Sequence, residues 1–199
     1  MFRRVTIAVS DRYASERFYD LVLATLALGT DGFSISQAAD DDAVTRRLHI
    51  GFTAPSREHV DAFWRAGLEA GYRDDGAPGP RPRYVEDYYG GFLLDPDGNS
   101  AEAVHYGAMP GVRPVDHLWI RVADVSASRR FYERFAGQAG LRLREEGRVQ
   151  FSGRAGSMSL VSGEPTRNAQ LAFPAAADAR LLDPDGNVIE LVKDPRRVS

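Results

Sequence analysis

The sequence predicts an α+β protein in which one plan of strands and helices is used twice, and three pairs of matching stretches carry that prediction. Phe92 to Val104 reads FLLDPDGNSAEAV and Arg180 to Val192 reads RLLDPDGNVIELV. Val5 to Phe18 and Leu118 to Phe131 share a strand-then-helix pattern at a constant offset of 113 residues. Between these ends, LHIGF at Leu48 to Phe52 is matched by AQLAF at Ala169 to Phe173. A duplicated beginning, middle and end imply a duplicated domain.

Arg4 to Val9 alternates, with Val5, Ile7 and Val9 on one face and Arg4, Thr6 and Ala8 on the other, as in a half-buried strand. Asp11 can cap the helix that follows, whose Ala14, Phe18, Leu21, Val22 and Thr25 recur on one face. Phe33 to Ala38 is a short strand candidate. After Leu48 to Phe52 the pattern predicts a helix capped by Ser56, with Val60, Phe63, Trp64, Gly67 and Leu68 inward and Gly71 as its stop. Asp74 to Gly91 is rich in glycine and proline and reads as a flexible segment holding Tyr84, Tyr88 and Tyr89. The two DPDGN stretches have turn chemistry, because proline presets φ, aspartate caps the turn and glycine accepts a positive φ. Each therefore closes a β-hairpin. Gly107 to Pro114 reads as a linker, which divides the chain into 1–107, a linker at 108–114, and 115–199.

In the second half, Leu118, Ile120 and Val122 form one strand face, Asp124 is the cap, and Ser128, Phe131 and Tyr132 match Ser15, Phe18 and Tyr19. Leu141 to Glu145, Val149 to Ser152 and Ser157 to Ser162 are further short strand candidates. Phe52 to Asp95 is 43 positions whereas Phe173 to Asp183 is 10, so the second half is 33 residues shorter here and lacks one helix.

Composition bounds the function. Hydrophobic content of 43%, charged content of 27% and a net charge of -3 are ordinary for a globular protein and give no nucleic-acid footprint. With no cysteine, disulfides, thiolate nucleophiles and Cys-based zinc sites are excluded, and any metal must be held by His, Asp, Glu or Gln. The apolar run near the start is broken by Asp11 and Arg12, and no later run could span a bilayer, so the expected setting is cytoplasmic, without a membrane partner. Each second hairpin strand carries one carboxylate, Glu102 or Glu190, and a lone acid on an otherwise apolar strand needs a partner.

The order of strand, Asp cap, S-x-x-F-Y helix, H-[IL]-x-F strand, helix and DPDGN-x-x-E resembles the vicinal oxygen chelate superfamily, which includes glyoxalase I, extradiol dioxygenases and bleomycin-resistance proteins. The resemblance covers nearly the whole chain twice. It implies paired βαβββ modules in two tandem glyoxalase-like domains, the second lacking a helix, with sheets that curl around a pocket. It also implies metal ligands at the first strand, the H-[IL]-x-F strand and the DPDGN strand. These positions are Arg4, His49 and Glu102 in the first half, and His117, Gln170 and Glu190 in the second.

Neither set holds two histidines and a carboxylate. Arg4 has no lone pair for a metal, and the expectation is a structural or substrate-orienting cluster of Arg4, His49 and Glu102. His117, Gln170 and Glu190 are candidate ligands for Fe, Mn, Ni or Zn, against a hydrogen-bonded trio with no cofactor. Tyr84, Tyr88, Tyr89 and Trp119 are candidates for ligand contact, against packing roles. Glu102 and Glu190 are the candidate catalytic carboxylates, and His59 and His105 lie outside both sets.

On residues alone the favoured reading is a protein that binds a small aromatic or oxygen-rich molecule in the concave face of a curled sheet, without an intact metal triad. The alternative is a divalent-metal-dependent lyase, isomerase or dioxygenase using His117, Gln170 and Glu190. A third reading has the second half cover the first or form a homodimer through its uncovered sheet.

Overall fold

The apolar and polar alternation of the strands and the 3.6-residue spacing of the helices are resolved in a computed structural model that describes residues 2–27, 29, 31–107, 114–145, 148–153 and 156–195. In chain order the elements are β1 (Arg4–Val9), α1 (Arg12–Ala24), β2 (Phe33–Gln37), a 3-10 turn (Asp41–Ala43), β3 (Leu48–Thr53), α2 (Arg57–Glu69), β4 (Arg73–Pro80), β5 (Tyr89–Leu94) and β6 (Ser100–His105). There follow β7 (Val115–Val122), α3 (Val125–Ala136), β8 (Arg142–Arg144), β9 (Val149–Gly153), β10 (Gly156–Ser162), β11 (Gln170–Ala175), β12 (Ala179–Leu182) and β13 (Val188–Lys193). β11 leads to β12 with no helix between them. The linker expected at 108–114 lies outside the described residues except for Pro114. Among the described residues no helix is long and apolar enough to cross a membrane.

The strands form two sheets. The eight-stranded sheet has the order β4-β5-β6-β3-β7-β10-β9-β8, and the five-stranded sheet β12-β13-β11-β1-β2. Both orders are linear and neither sheet closes on itself, which removes the curled-sheet pocket expected from the sequence. Each sheet takes strands from both halves of the chain. β3 pairs antiparallel with β7 at the centre of the larger sheet, and β1 pairs antiparallel with β11 in the smaller one.

Each DPDGN turn is tied to the helix of its own half of the chain. The Asp95 carboxylate accepts the Asp97 and Asn99 backbone N–H groups at 2.9 and 2.8 Å, and also accepts the Tyr19 hydroxyl of α1 at 2.9 Å. Asp183 repeats the arrangement with Asp185, Asn187 and the Tyr132 hydroxyl of α3 at 2.8 Å. Gly98 and Gly186 supply the positive φ, at 83° and 92°. Asn99 then accepts from Leu48 N and donates to Thr45 O, which anchors the start of β3. A helix tyrosine, a turn aspartate and a turn asparagine thus fix the hairpin against the neighbouring strand, and all of these groups are buried and hydrogen-bonded.

Most local expectations hold, and the exceptions have physical causes. Asp11 caps α1 through Ala14 N, and Asp124 caps α3 through Ser126 N and Ala127 N. Ser56 occupies the N-cap of α2 but spends its hydroxyl on Glu58 and His59. Leu21 is exposed, so the buried face of α1 runs through Ser15, Phe18, Tyr19, Val22 and Leu23. Part of the Gly/Pro segment is strand β4, which tolerates Pro78 and Pro80 because it lies at a sheet edge and is interrupted by register shifts on both sides of Gly76.

Candidate metal centre

Three adjacent strands bring three side chains to one point. In β3, Gly51 pairs with Glu102 of β6 on one side and with His117 of β7 on the other, while His49 sits two residues away on the same face. Gly51 is what lets them converge, because a β-carbon there would overlap the His117 ring. Gly90 of β5 does the same for Glu102. A glycine inside a strand marks a close approach of this kind.

The donor atoms form a nearly equilateral triangle. His49 Nε2 lies 2.9 Å from Glu102 Oε2 and 3.1 Å from His117 Nε2, and His117 Nε2 lies 3.2 Å from Glu102 Oε2. Adjacent ligands of an ion bound at about 2.0–2.2 Å stand roughly 3 Å apart, so the spacing suits a divalent cation. Glu102 and His117 are buried and His49 is partly open, which leaves an approach on the His49 side. The described residues hold one such cluster of His, Asp and Glu donors.

Each donor is held from behind. His117 Nδ1–H donates to Asp116 Oδ2 at 2.9 Å, and the Tyr106 hydroxyl donates to the other Asp116 oxygen at 2.6 Å. His49 Nδ1–H donates to Ser100 Oγ at 3.0 Å, and that hydroxyl donates to Asp75 at 2.6 Å. Glu102 Oε1 accepts the Tyr88 hydroxyl at 2.7 Å, so only Oε2 faces the histidines. With both Nδ1 atoms donating, His49 Nε2 presents a lone pair, and His117 Nε2 presents one once its proton is given up.

Such a set suits a cation. Burial alone would raise the Glu102 pKa, but hydrogen bonds from His117 and His49 outweigh it and hold the carboxyl at about 2. Burial would lower His117, yet its bonds to Asp116 and Glu102 raise it to about 10. His49 has no direct carboxylate on its outer nitrogen, so burial dominates and its pKa falls. The proton on His117 Nε2 thus faces two acceptor atoms, Glu102 Oε2 and His49 Nε2, and His49 Nε2 is left against Glu102 Oε2. A divalent ion satisfies all three at once. Replacing Asp116 by Asn is expected to weaken metal binding by about 10- to 100-fold with little change in fold, as loss of a group orienting a ligand histidine does; a metal titration against wild type reads it.

The sequence placed His49, Glu102, His117, Tyr84, Tyr88 and Trp119 among its candidates, and the structure gathers these six. The expectation of no intact metal triad is overturned, because the second histidine comes from the other half of the chain. Trp119 lies 5.1 Å from the His49 ring, Phe92 lies 5.9 Å from it, and Tyr84 packs on both Tyr88 and Trp119. Tyr89 is elsewhere, because strand alternation turns it toward α2, where its hydroxyl meets Asp61.

His117 does not join Gln170 and Glu190. Those two stand in the five-stranded sheet with Arg4, whose guanidinium pairs with Glu190 at 2.9 Å. That trio repeats the metal-centre positions with a fixed cation in place of one histidine and an amide in place of the other. His105 binds Ala54 O and His59 binds Ser56, both outside the triad.

Asp116, Ser100, Asp75 and the two glycines were not legible as site residues. Asp116 adjoins His117 and by alternation would face away from it. The register instead jumps from Gly51–His117 to Phe52–Val115, so Asp116 is the extra residue of a β-bulge and turns toward its neighbour. A glycine between Ile50 and Phe52 was the one signal in the sequence.

No family model matches the chain, and no curated protein matches it. Among solved structures, a glyoxalase/bleomycin resistance protein from Albidiferax ferrireducens T118 is 32% identical, with 53% of this chain and 98% of that one covered and a TM-score of 0.48. Glyoxalase I from Zea mays is 14% identical, with 96% and 92% covered and a TM-score of 0.62. Its V278E variant is 16% identical, with 96% and 92% covered and a TM-score of 0.65. The two maize structures share the fold over nearly the whole chain.

Proposed function

The chain belongs to the vicinal oxygen chelate superfamily, and from that premise we propose that it is a divalent-metal-dependent enzyme of the lyase, isomerase or dioxygenase type, acting on a small oxygen-rich molecule, with His49, Glu102 and His117 holding the ion. The observation that carries this reading is the triangle of three donor atoms, each fixed from behind, with one proton to share among them. An ion held there by His49, Glu102 and His117 would supply Lewis acidity to the oxygens of a bound substrate.

The protein residues have distinct tasks. Asp116 and Ser100 orient the imidazoles, and Tyr88 occupies Oε1 of Glu102, leaving Oε2 to face the histidines. Symmetry within the sheet identifies the fourth corner. Glu102 lies opposite the residue two positions after His49, and Ser159 lies opposite Trp119, two positions after His117. Ser159 is no carboxylate, and its hydroxyl accepts from Gln150 Nε2 at 3.3 Å. Two histidines and one carboxylate with open positions suit Fe(II), and the same donors accept Zn, Ni or Mn.

Because His117 carries a proton held up to about 10, an incoming ion must displace it. Metal affinity is therefore expected to rise by about tenfold per pH unit through neutrality, with about one proton released per ion, as calorimetry in buffers of different ionisation enthalpy would show. Activity is tested by giving metal-loaded protein two panels, catechols with oxygen uptake as readout and α-hydroxycarbonyl compounds with isomerisation as readout. Turnover in one panel that chelator abolishes and metal restores is expected; fully loaded protein inert in both would overturn the proposal.

A further inference from the structure

Resting on the reading of this face as a substrate site, we infer that its substrate is a planar anion, whose carboxylate or phosphate is held by Arg148 while its ring packs against the aromatic wall formed by Trp119 and Tyr84. Arg148 stands two residues before Gln150 on the strand side of the centre, and its Cζ lies 4.9 Å from the Trp119 ring and 5.6 Å from the Tyr84 ring. Among the described residues it makes no hydrogen bond or ion pair, only these two stacking contacts. Its guanidinium N–H groups are therefore available in the ring plane, where a carboxylate or phosphate can take two of them together.

Position relative to the donors fixes the geometry of the ligand. Trp119 is the neighbour of His49 across the strand pair and lies 5.1 Å from its ring, so Arg148 is one aromatic layer beyond the metal ligands. A second cation reinforces it. Arg83 stacks on the other contact of the same wall, with Cζ 4.7 Å from the Tyr84 ring and Nη2 2.8 Å from the Tyr84 hydroxyl. The opposite wall carries Arg81 over Phe92 at 5.7 Å, but its guanidinium is committed to the Pro80 and Ala77 carbonyls, and Asp75 lies near this side through Ser100. Both Arg148 and Arg83 make this the positive side, and among the described residues the guanidinium of Arg148 is the one without a hydrogen bond there. An aromatic wall with a guanidinium stacked on it favours a flat ring with a negative substituent on the edge away from the oxygens that reach the ion.

The probes are 2-naphthoate, 2-naphthyl phosphate and neutral 2-naphthamide, titrated by calorimetry into full-length protein, once in EDTA and once with Zn²⁺. The expected result in EDTA is that one anion binds at least tenfold more tightly than the amide, that Arg148→Ala removes that preference without weakening the amide, and that Arg148→Lys keeps part of it. Preference for naphthoate or for naphthyl phosphate identifies the anionic group. Equal binding of anions and amide, no measurable binding of either anion, or an anion preference that survives Arg148→Ala would overturn the inference. The EDTA arm separates this from the metal reading, since failure to bind Zn²⁺ leaves an Arg148-dependent preference intact.

Discussion

Replacing Glu102 by alanine is expected to abolish metal binding and to lower folding stability by about 3–5 kcal/mol. Glu102 is 1% exposed, and its Oε2 is shared by His49 and His117 while Oε1 accepts from Tyr88. Removing it leaves the His117 proton buried without the carboxylate on its inner side, and leaves the Tyr88 hydroxyl without its acceptor. Each is a buried polar group that loses its partner, and these losses add to the cavity left by the side chain. Glu102→Gln separates the two effects. The amide keeps the volume and an oxygen for Tyr88, so most of the stability should return, while metal affinity stays down by more than about 100-fold because the anionic ligand is gone. Thermal melts and metal titrations of the two variants side by side check this. Wild-type metal affinity in Glu102→Gln would show that the ion is held elsewhere.

Gly51→Ala is expected to remove metal binding although it leaves every donor residue in place. Gly51 is flanked by Glu102 and His117, and a β-carbon on it would occupy the position of the imidazole. Two outcomes are open to the ring. It can swing away, breaking its bonds to Asp116 and Glu102, or β3 and β7 can separate, which the paired backbone resists. Overpacking of this kind costs about 1–3 kcal/mol, and the ring is the part free to move. The expected signature is a modest loss of stability with metal affinity reduced by about 100-fold or more. Gly137→Ala is the control, since its φ is -59° and nothing lies near a β-carbon there. That variant should melt and bind metal as wild type does.

Local structure was legible because its causes are local. Asp11 and Asp124 announce helix starts, the DPDGN turns announce hairpins, and alternation places His49, His117 and Glu102 on strand faces away from the helix-packed side chains. The grouping of those residues depends on which strands pair, and no local signal fixes that. Matching His49 with Arg4 and Glu102 keeps each half of the chain to itself, but β3 pairs with β7 across the residues between 107 and 114, and β1 pairs with β11. The single glycine in LHIGF carried the missing information, because it makes room for a ring from the adjacent strand. Its counterpart in AQLAF is Ala172, and there Arg4 and Glu190 form an ion pair instead. The bulge that turns Asp116 toward His117 was beyond reach for the same reason, since it exists only in the register between two strands.

The most direct test is elemental analysis of untagged protein incubated with Fe(II) or Zn²⁺ and desalted, for wild type, His49→Ala and Glu190→Ala. Expected is one equivalent of metal per chain in wild type and in Glu190→Ala, and none in His49→Ala. A wild-type protein that retains no metal, or an equivalent that survives loss of His49 and disappears with Glu190, would contradict the assignment of His49, Glu102 and His117 as the metal centre.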